Sequence, residues 1–239
     1  MNFSDQADFE VRCEWGLQGV LQLAPTSDVV VIVDVLSFST CVDIVSERGA
    51  IAFPYRWRDD SVSAFAQSVN AEVAQKRGRG RYSLSPASLL SVDSQTRLVL
   101  PSPNGSTLSL VTAETPTLAG CLRNCRAVAL AAMTYGNRIA VIPAGEKWPD
   151  GSLRHSFEDL IGAGAVISYL EGALSSEARL ASEAFHSMHE SLRDFIRQCG
   201  SGQELIIKGY KQDVDLALEV NVSHCVPTLV HGAYTNKAR

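Results

Sequence analysis

Three segments of the chain place hydroxyl or acidic side chains close to the point where an apolar run ends. In the first, Asp34 lies near the end of the run Asp28–Leu36, which is predicted to be a buried β-strand. An ionised carboxylate there is costly unless it is paired, hydrogen-bonded or bound to a cation. The hydroxyls of Ser39 and Thr40 could then bind a phosphate group. Alternatively, the hydroxyls of this segment only cap the following helix.

The second segment, Ser102–Thr107, lies between a predicted strand and a predicted helix. Gly105 allows the backbone to approach a ligand, and the start of a helix offers free N–H groups to an anion. Asn104 and Ser106 could add side-chain donors. An ordinary turn followed by a hydroxyl cap has the same composition, so both interpretations stay open.

The third segment ends in two adjacent carboxylates, Glu158 and Asp159, at the start of a predicted helix that follows Ala144–Glu146. Such carboxylates suit Mg²⁺, which prefers oxygen ligands. The spacing from Ser156 to Asp159 also fits a capping box, which would leave Glu158 free. If this helix begins near Asp34, all three carboxylates should converge on one Mg²⁺–phosphate site.

A basic stretch, Gln75–Arg81, precedes Ser85–Pro86 and contains Arg77, Arg79 and Arg81. Its ordinary interpretation is a solvated loop. The alternative is capture of an anionic substrate, in which case the three arginines should lie at the mouth of the same cleft.

Strand-like and helix-like patterns must alternate to position these segments. Predicted strands cover Asp28–Leu36, Ile51–Tyr55, Arg97–Leu100, a short run near Thr117, Arg138–Pro143 and Val226–Tyr234. Predicted helices cover Ser39–Arg48, Asp59–Arg77, the residues after Gly105 through Val111, Asn124–Tyr135, Ser156–Glu171 and Glu177–Gln198. The pattern predicts the α/β class, with a mostly parallel sheet, helices on both faces, and ligands at the carboxyl ends of the strands. We expect a single domain over residues 1–239, with a smaller C-terminal lobe from about 200 as a variant.

Composition excludes several functional classes. Of the 239 residues, 46% are hydrophobic and 20% charged, as in ordinary globular proteins. The net charge of −5 argues against nucleic-acid binding. No apolar run approaches the ~18 residues of a membrane span, and the polar N-terminus does not resemble a signal peptide, so we expect a cytoplasmic protein. The six cysteines are predicted to be mostly buried, reduced thiols.

Several segments, in order, resemble the 2-phosphosulfolactate phosphatase family of coenzyme M biosynthesis. They are Val33–Leu36 with Ser39–Thr40, Ser85–Pro86, Asn104–Ser106, Gly120–Asn124 with Ala127–Ala129, Ala144–Gly145, Glu158–Asp159 with Ala163–Gly164, Asp213–Val214 and Val226–Pro227. The resemblance implies a Mg²⁺-dependent phosphoric monoester hydrolase that converts 2-phosphosulfolactate and water to sulfolactate and phosphate. Members also occur where coenzyme M is not made, so the family name does not settle the substrate.

Residues and resemblance together give a predicted site. Asp34, Glu158 and Asp159 are the predicted catalytic and metal-binding residues. The predicted substrate-binding residues are Ser39, Thr40, Asn104, Gly105, Ser106, Asn124, Arg79 and Arg81. Asp34 is preferred as a metal ligand over a nucleophile, because Leu36 stands where haloacid-dehalogenase phosphatases carry a second aspartate.

One departure from the family keeps alternatives open. The family usually carries a Gly-Glu pair before its Ser-Pro, whereas Gln75–Arg81 contains no acid. The chain could therefore be a phosphatase with a different substrate, or a catalytically silent protein that binds small anions. A dinucleotide-binding oxidoreductase is disfavoured, because no Gly-x-Gly-x-x-Gly follows the first predicted strand. The expected partner is a small anionic phosphorylated substrate, and a homo-oligomer is left open.

Overall fold

The computed structural model describes residues 3–56 and 59–237. The strands are β1 (Val11–Cys13), β2 (Val29–Val33), β3 (Ile51–Tyr55), β4 (Glu72–Val73), β5 (Arg97–Pro101), β6 (Thr117–Gly120), β7 (Ile139–Pro143), β8 (Glu146–Lys147), β9 (Leu153–Arg154), β10 (Pro227–Val230) and β11 (Ala233–Asn236). The helices are α1 (Gly16–Leu23), α2 (Phe38–Glu47), α3 (Ser61–Ser68), α4 (Pro86–Leu89), α5 (Gly105–Ser109), α6 (Cys125–Ala132), α7 (Phe157–Ile167), α8 (Ser176–Met188), α9 (Leu192–Gln198), α10 (Gly200–Ile207) and α11 (Lys211–Ala217). Short 3₁₀ turns cover Phe3–Asp5, Ala24–Thr26 and His189–Ser191.

Within these residues, nine strands form one sheet in the order β1-β7-β2-β6-β10-β11-β3-β5-β4, and β8 pairs with β9 in a separate hairpin. Five of the eight pairings in the large sheet are parallel. The predicted α/β class with a mostly parallel sheet is therefore confirmed.

Both faces of the central strand β2 are covered, which explains its uninterrupted apolar sequence. Val29, Val31 and Val33 belong to a core that α6, α7 and α8 share. Val30 and Ile32 point the other way, into a core with side chains of α1 and α5. The alternation of side chains along the strand thus gives the predicted helix–sheet–helix layering.

The hairpin β10–β11 divides the sheet into two parallel blocks that run in opposite directions. It pairs antiparallel with β6 on one side and with β3 on the other. In a flat sheet, the carboxyl ends of β2 and β5 would therefore lie at opposite edges. The sheet is not flat, however, and the two carboxyl ends meet: the N–H of Gly105, just beyond β5, donates to Asp34, just beyond β2. Strands of both blocks share one core with α2, so the sheet curves around this helix.

Several sequence-predicted boundaries were wrong for local reasons. The single closing strand Val226–Tyr234 is a hairpin in the middle of the sheet, because His231 and Gly232 adopt φ of +49° and +79° and form its turn. The long helix Glu177–Gln198 is broken by the 3₁₀ turn at His189–Ser191. The helix predicted from Asp59 to Arg77 covers only α3, since Asn70 at φ +49° reverses the chain into β4.

The burial of the cysteines agrees with the expectation from composition. Five of the six cysteines are buried and Cys199 is half-buried, as predicted. Burial raises the pKa of the Cys199 thiol to about 12. Among residues 3–56 and 59–237, no helix is long and apolar enough to cross a membrane.

Candidate active site

A cavity of about 210 Å³ opens where the carboxyl ends of β2, β5 and β7 meet, and we name it the strand-end cavity. Its polar lining comes from the segments that follow these strands, from the basic stretch and from α10. The lining residues are Asp34, Leu36, Ser37, Arg77, Leu84, Ser102, Pro103, Asn104, Glu146, Ser201, Glu204 and Leu205.

Asp34 is buried at the base of this cavity and is held by backbone donors. Its Oδ1 accepts from the N–H of Phe38 at 3.1 Å, and its Oδ2 accepts from the N–H of Gly105 at 2.9 Å. Burial, and then the negative charge of Glu146, raise the pKa of Asp34 to about 7. Asp34 is therefore a fixed carboxyl group close to its titration point at neutral pH, as active-site acids often are.

Gly105 is required by the close approach of α5 to Asp34. A Cβ at this position would lie 2.3 Å from Cδ1 of Phe38 and 2.8 Å from Oδ2 of Asp34. The sequence-based expectation was that Gly105 lets backbone approach a ligand. In the structure, Gly105 lets backbone approach the carboxylate that faces the cavity.

Glu146 is the second carboxylate at the cavity, and it was not among the predicted site residues. Its Oε2 accepts from Nδ2 of Asn104 at 2.8 Å, and burial raises its pKa. The signal was present in the sequence, since Glu146 follows β7 as Asp34 follows β2. Asp34, Glu146 and Asn104, which we name the cavity cluster, thus come from three different strand ends.

Asp159 joins two strand ends through backbone hydrogen bonds. Its Oδ1 accepts from the N–H of Val35 at 2.8 Å and its Oδ2 from the N–H of Gly145 at 2.9 Å. Burial, together with the charges of Asp34 and Glu158, keeps the pKa of Asp159 well above its usual value. The capping-box alternative does not describe this geometry, because the Ser156 hydroxyl has no partner in the described part of the chain.

Glu158 lies on a different side of the strand ends. It is 2% exposed and accepts a hydrogen bond from Sγ of Cys199 at 3.2 Å. It lines a separate depression with Arg154, Phe195 and Cys199. Neither Glu158 nor Asp159 is among the described residues that line the strand-end cavity. The structure thus brings Asp34 to the cavity without the other two predicted carboxylates.

The predicted hydroxyl ligands are occupied by the backbone. Ser39 Oγ donates to the carbonyl of Ile32 at 3.1 Å, and Thr40 Oγ1 donates to that of Val35 at 2.8 Å. Ser106 Oγ donates to the carbonyl of Leu100 at 2.9 Å. These hydroxyls stabilise the turns that carry Asp34 and Gly105, rather than presenting themselves to the cavity.

Asn124 is also buried away from the cavity. Its Oδ1 accepts from the N–H of Cys121 at 2.9 Å, and its Nδ2 donates to the carbonyl of Ala119 at 3.2 Å. It therefore ties the end of β6 to the start of α6.

Of the three arginines expected at one cleft, only Arg77 lines the strand-end cavity. Its Nη2 donates to Ser37 Oγ at 2.6 Å, and its Nη1 pairs with Asp213, which also accepts from Ser85 Oγ at 2.6 Å. Arg79 is exposed, and Arg81 pairs with Asp93 at 3.2 Å beside another surface depression. The expectation is corrected for Arg79 and Arg81, because the glycine-interrupted loop turns them outward.

The two carboxylates at the cavity fit a Mg²⁺ ion whose remaining ligands are water and phosphate oxygens. Among the described residues, no three histidine, cysteine or carboxylate side chains come together as a metal cage. Mg²⁺, however, is usually held by one or two carboxylates with waters and substrate phosphate. Asp34 and Glu146 raise the local negative charge, and within the described residues neither forms an ion pair with an arginine or lysine. A cation there would offset that charge.

Comparison with known proteins agrees with the geometry. The family model described as 2-phosphosulpholactate phosphatase matches residues 19–232. A protein of Methanothermobacter thermautotrophicus named 2-phosphosulfolactate phosphatase is 30% identical over 135 residues, which are 56% of this chain and 57% of that protein. One of Thermotoga petrophila, named "Probable 2-phosphosulfolactate phosphatase", is 32% identical over 85 residues, 35% of this chain and 37% of that protein.

The aligned part of this chain thus spans somewhat more than half of the first curated relative and about a third of the second. The family model, by contrast, covers most of the chain, including all three strand-end segments that form the cavity cluster. The chain therefore belongs to the 2-phosphosulfolactate phosphatase family.

Proposed function

We propose that the chain is a Mg²⁺-dependent phosphoric monoester hydrolase acting on a small phosphorylated hydroxy acid, with the conversion of 2-phosphosulfolactate and water to sulfolactate and phosphate as the family reaction. One observation carries the proposal. Two carboxylates that have no cationic partner among residues 3–56 and 59–237 lie in the same cavity as the Arg77 guanidinium and the Asn104 amide. Carboxylates recruit a divalent cation, and a guanidinium recognises phosphate oxygens.

Arg77 is the expected phosphate-binding residue. Its side chain is 19% exposed, and Asp213 and Ser37 hold the guanidinium on either side. This fixes the direction of the remaining N–H groups before substrate arrives, which reduces the entropy lost on binding. Asp213 is a positioning residue in this scheme, since it acts through Arg77.

Asp34 is the expected cation ligand, and a bound Mg²⁺ would supply charge neutralisation for the phosphoryl oxygens. Both of its oxygens already accept backbone N–H bonds, which fix the plane of the carboxylate. Leu36, two residues further on, cannot supply the second carboxyl group that would assist direct attack of Asp34 on phosphorus. We therefore favour a water nucleophile over a covalent aspartyl phosphate.

Glu146 is the expected proton acceptor for that water. Burial raises the pKa of Glu146 above its ordinary value, which makes its carboxylate a better proton acceptor. The hydrogen bond from Asn104 orients the Glu146 carboxylate without neutralising it. The proton passes to Glu146 as the water oxygen bonds to phosphorus and the P–O ester bond breaks, and the departing oxygen takes a proton from solvent to give the alcohol.

The test is phosphate release from 2-phosphosulfolactate and from a generic phosphomonoester, each with Mg²⁺ and with excess chelator. Release that needs Mg²⁺ supports the proposal. Phosphate binding without turnover would instead identify a silent anion-binding protein. Arg77→Gln should weaken this release, and Arg81→Gln is its matched control, because Arg81 belongs to the same loop but lies outside the cavity.

The proposal extends to the cellular setting. The thiols of Cys13, Cys41, Cys121, Cys125 and Cys199 suit a reducing compartment, so we place the protein in the cytoplasm. A role in coenzyme M biosynthesis, a single-domain organisation and a homo-oligomeric state remain predictions.

A further inference from the structure

A second cavity, of about 390 Å³, lies beside the strand-end cavity, and we name it the side cavity. Pro103, Asn104 and Glu146 line both cavities. Because Asn104 donates to Glu146 at 2.8 Å, this side-chain pair forms part of a shared wall. A ligand in one cavity therefore lies about one side chain away from the other.

The side cavity is lined mainly by apolar groups from three elements. Leu17 comes from α1, Leu108 from α5 and Leu153 from β9, with Trp15 at the start of α1. Leu17 and Leu153 remain 43% and 37% exposed. Large apolar side chains left open around a concave surface are typical of a ligand site.

Two glycines allow the hairpin β8–β9 to form one wall of this cavity. A Cβ at Gly145 would lie 2.7 Å from Cδ1 of Leu153, and one at Gly16 would lie 3.3 Å from the same atom. Both glycines also have positive φ, of +68° and +57°. Leu153 can therefore pack closely over the end of β7, which fixes the wall next to Glu146.

We propose that the side cavity binds an apolar substituent of the alcohol that leaves from phosphate, so that the preferred substrate is the phosphate monoester of a hydroxy acid with an aromatic or branched aliphatic group. This rests on the proposed function. The substrate of the family reaction would place only a charged sulfomethyl group there, and an apolar lining does not compensate the burial of such a group. Lys147, which also lines the cavity, offers a positive charge to the carboxylate of such a substrate.

The experiment compares two non-hydrolysable ligands, methylphosphonate and benzylphosphonate, by titration calorimetry on the full chain with Mg²⁺. Both present the same anion to the strand-end cavity, and only the second has a group for the side cavity. We expect benzylphosphonate to bind about tenfold more tightly or better. Thr107→Phe, which fills the side cavity from α5, should abolish this preference and leave methylphosphonate affinity unchanged. Thr107→Val is the matched control and should keep the preference.

Equal affinity of the two phosphonates for the unmodified chain would overturn the inference while leaving the proposed function intact. Absence of binding by either ligand would overturn both. If Thr107→Phe does not fold, Leu17→Glu at the exposed rim replaces it, with the same expected loss of preference. A preference for benzylphosphonate that survives the variant would also overturn the inference.

Discussion

Two carboxylate clusters in this molecule are both largely withdrawn from water, yet their charges are balanced differently. In the cavity cluster, Asp34 and Glu146 contact backbone N–H groups and the neutral Asn104 amide. In the second cluster, which we name the Arg123 cluster, Arg123 donates from Nε to Asp43 at 2.9 Å and pairs with Glu219 through Nη1.

The difference separates a site from a structural ion network. Burial raises the pKa of Asp43 to about 6, although Ser223 and Arg123 oppose the rise. For Asp34 the pKa rises to about 7, and the neighbouring charges that act on it are other carboxylates. A perturbed pKa therefore occurs in both clusters. Only the cavity cluster combines it with access to a cavity and an excess of negative charge, which an external cation would offset.

The largest expected effect concerns the cavity cluster. Asp34→Asn should lower Mg²⁺-dependent phosphate release by more than about a hundredfold, since even residues behind a metal ligand often matter tenfold or more. We expect a melting temperature near that of the unmodified chain, because loss of charge repulsion offsets the loss of one acceptor for the two N–H groups. A phosphate-release assay measures the activity, and differential scanning calorimetry measures the melting temperature. Full activity of Asp34→Asn would remove Asp34 from the mechanism.

A related change distinguishes the two carboxylates of the cavity cluster. Glu146→Gln should lower kcat by roughly 10²–10⁴-fold, because it removes the proton acceptor while keeping the shape of the side chain. Mg²⁺ binding, followed by calorimetry, should persist in Glu146→Gln and disappear in Asp34→Asn. The reverse result would exchange the two roles.

The Arg123 cluster should respond in stability rather than in catalysis. Arg123→Met leaves the buried Asp43 without its cation, and removal of one partner from a buried ion pair typically costs about 3–5 kcal/mol. Urea denaturation measures this loss, and kcat under native conditions should be retained. Arg81→Met is the control, since its pair with Asp93 is exposed and should change the free energy of unfolding by less than about 0.5 kcal/mol.

The pH dependence of stability sharpens the comparison. The pKa of Asp34 is about 7 in the folded chain, against about 3.9 for a carboxyl group in an unfolded chain. The folded state therefore binds more protons between these values, and the contribution of Asp34 to the free energy of unfolding falls as the pH rises through that window. Added Mg²⁺ should raise the melting temperature more at pH 8 than at pH 5. Asp34→Asn should lose this pH-dependent gain.

The smallest effect concerns the basic loop. Arg77→Gln should raise KM about tenfold with a smaller change in kcat, because Arg77 contributes binding that substrate and transition state share. Arg79→Gln and Arg81→Gln should leave KM unchanged at moderate salt. Steady-state kinetics on the three variants measures KM and kcat for each of them. Equal KM values for all three would reduce the loop to a solvated surface.

Much of the fold and part of the site could be read from sequence. The uninterrupted run before Asp34 predicted a strand covered on both faces, and the order of strands and helices predicted the α/β class. Asp34, Asn104 and Gly105 were identified because polar residues just after apolar strands collect at a sheet edge. The same rule applies to Glu146, which follows β7, although the sequence analysis selects the adjacent acids at the start of α7 instead.

What only the tertiary structure decided is which of these groups remain available. Asp34 and Asp159 each accept two backbone N–H bonds, but only Asp34 of the two also lines the strand-end cavity. The meeting of β2 with β5 depends on the curvature of a sheet whose two blocks are joined by the hairpin β10–β11, more than a hundred residues further along the chain. Sequence patterns encode local periodicity and residue chemistry. The partners of a buried polar group are set by long-range packing, which those patterns do not contain.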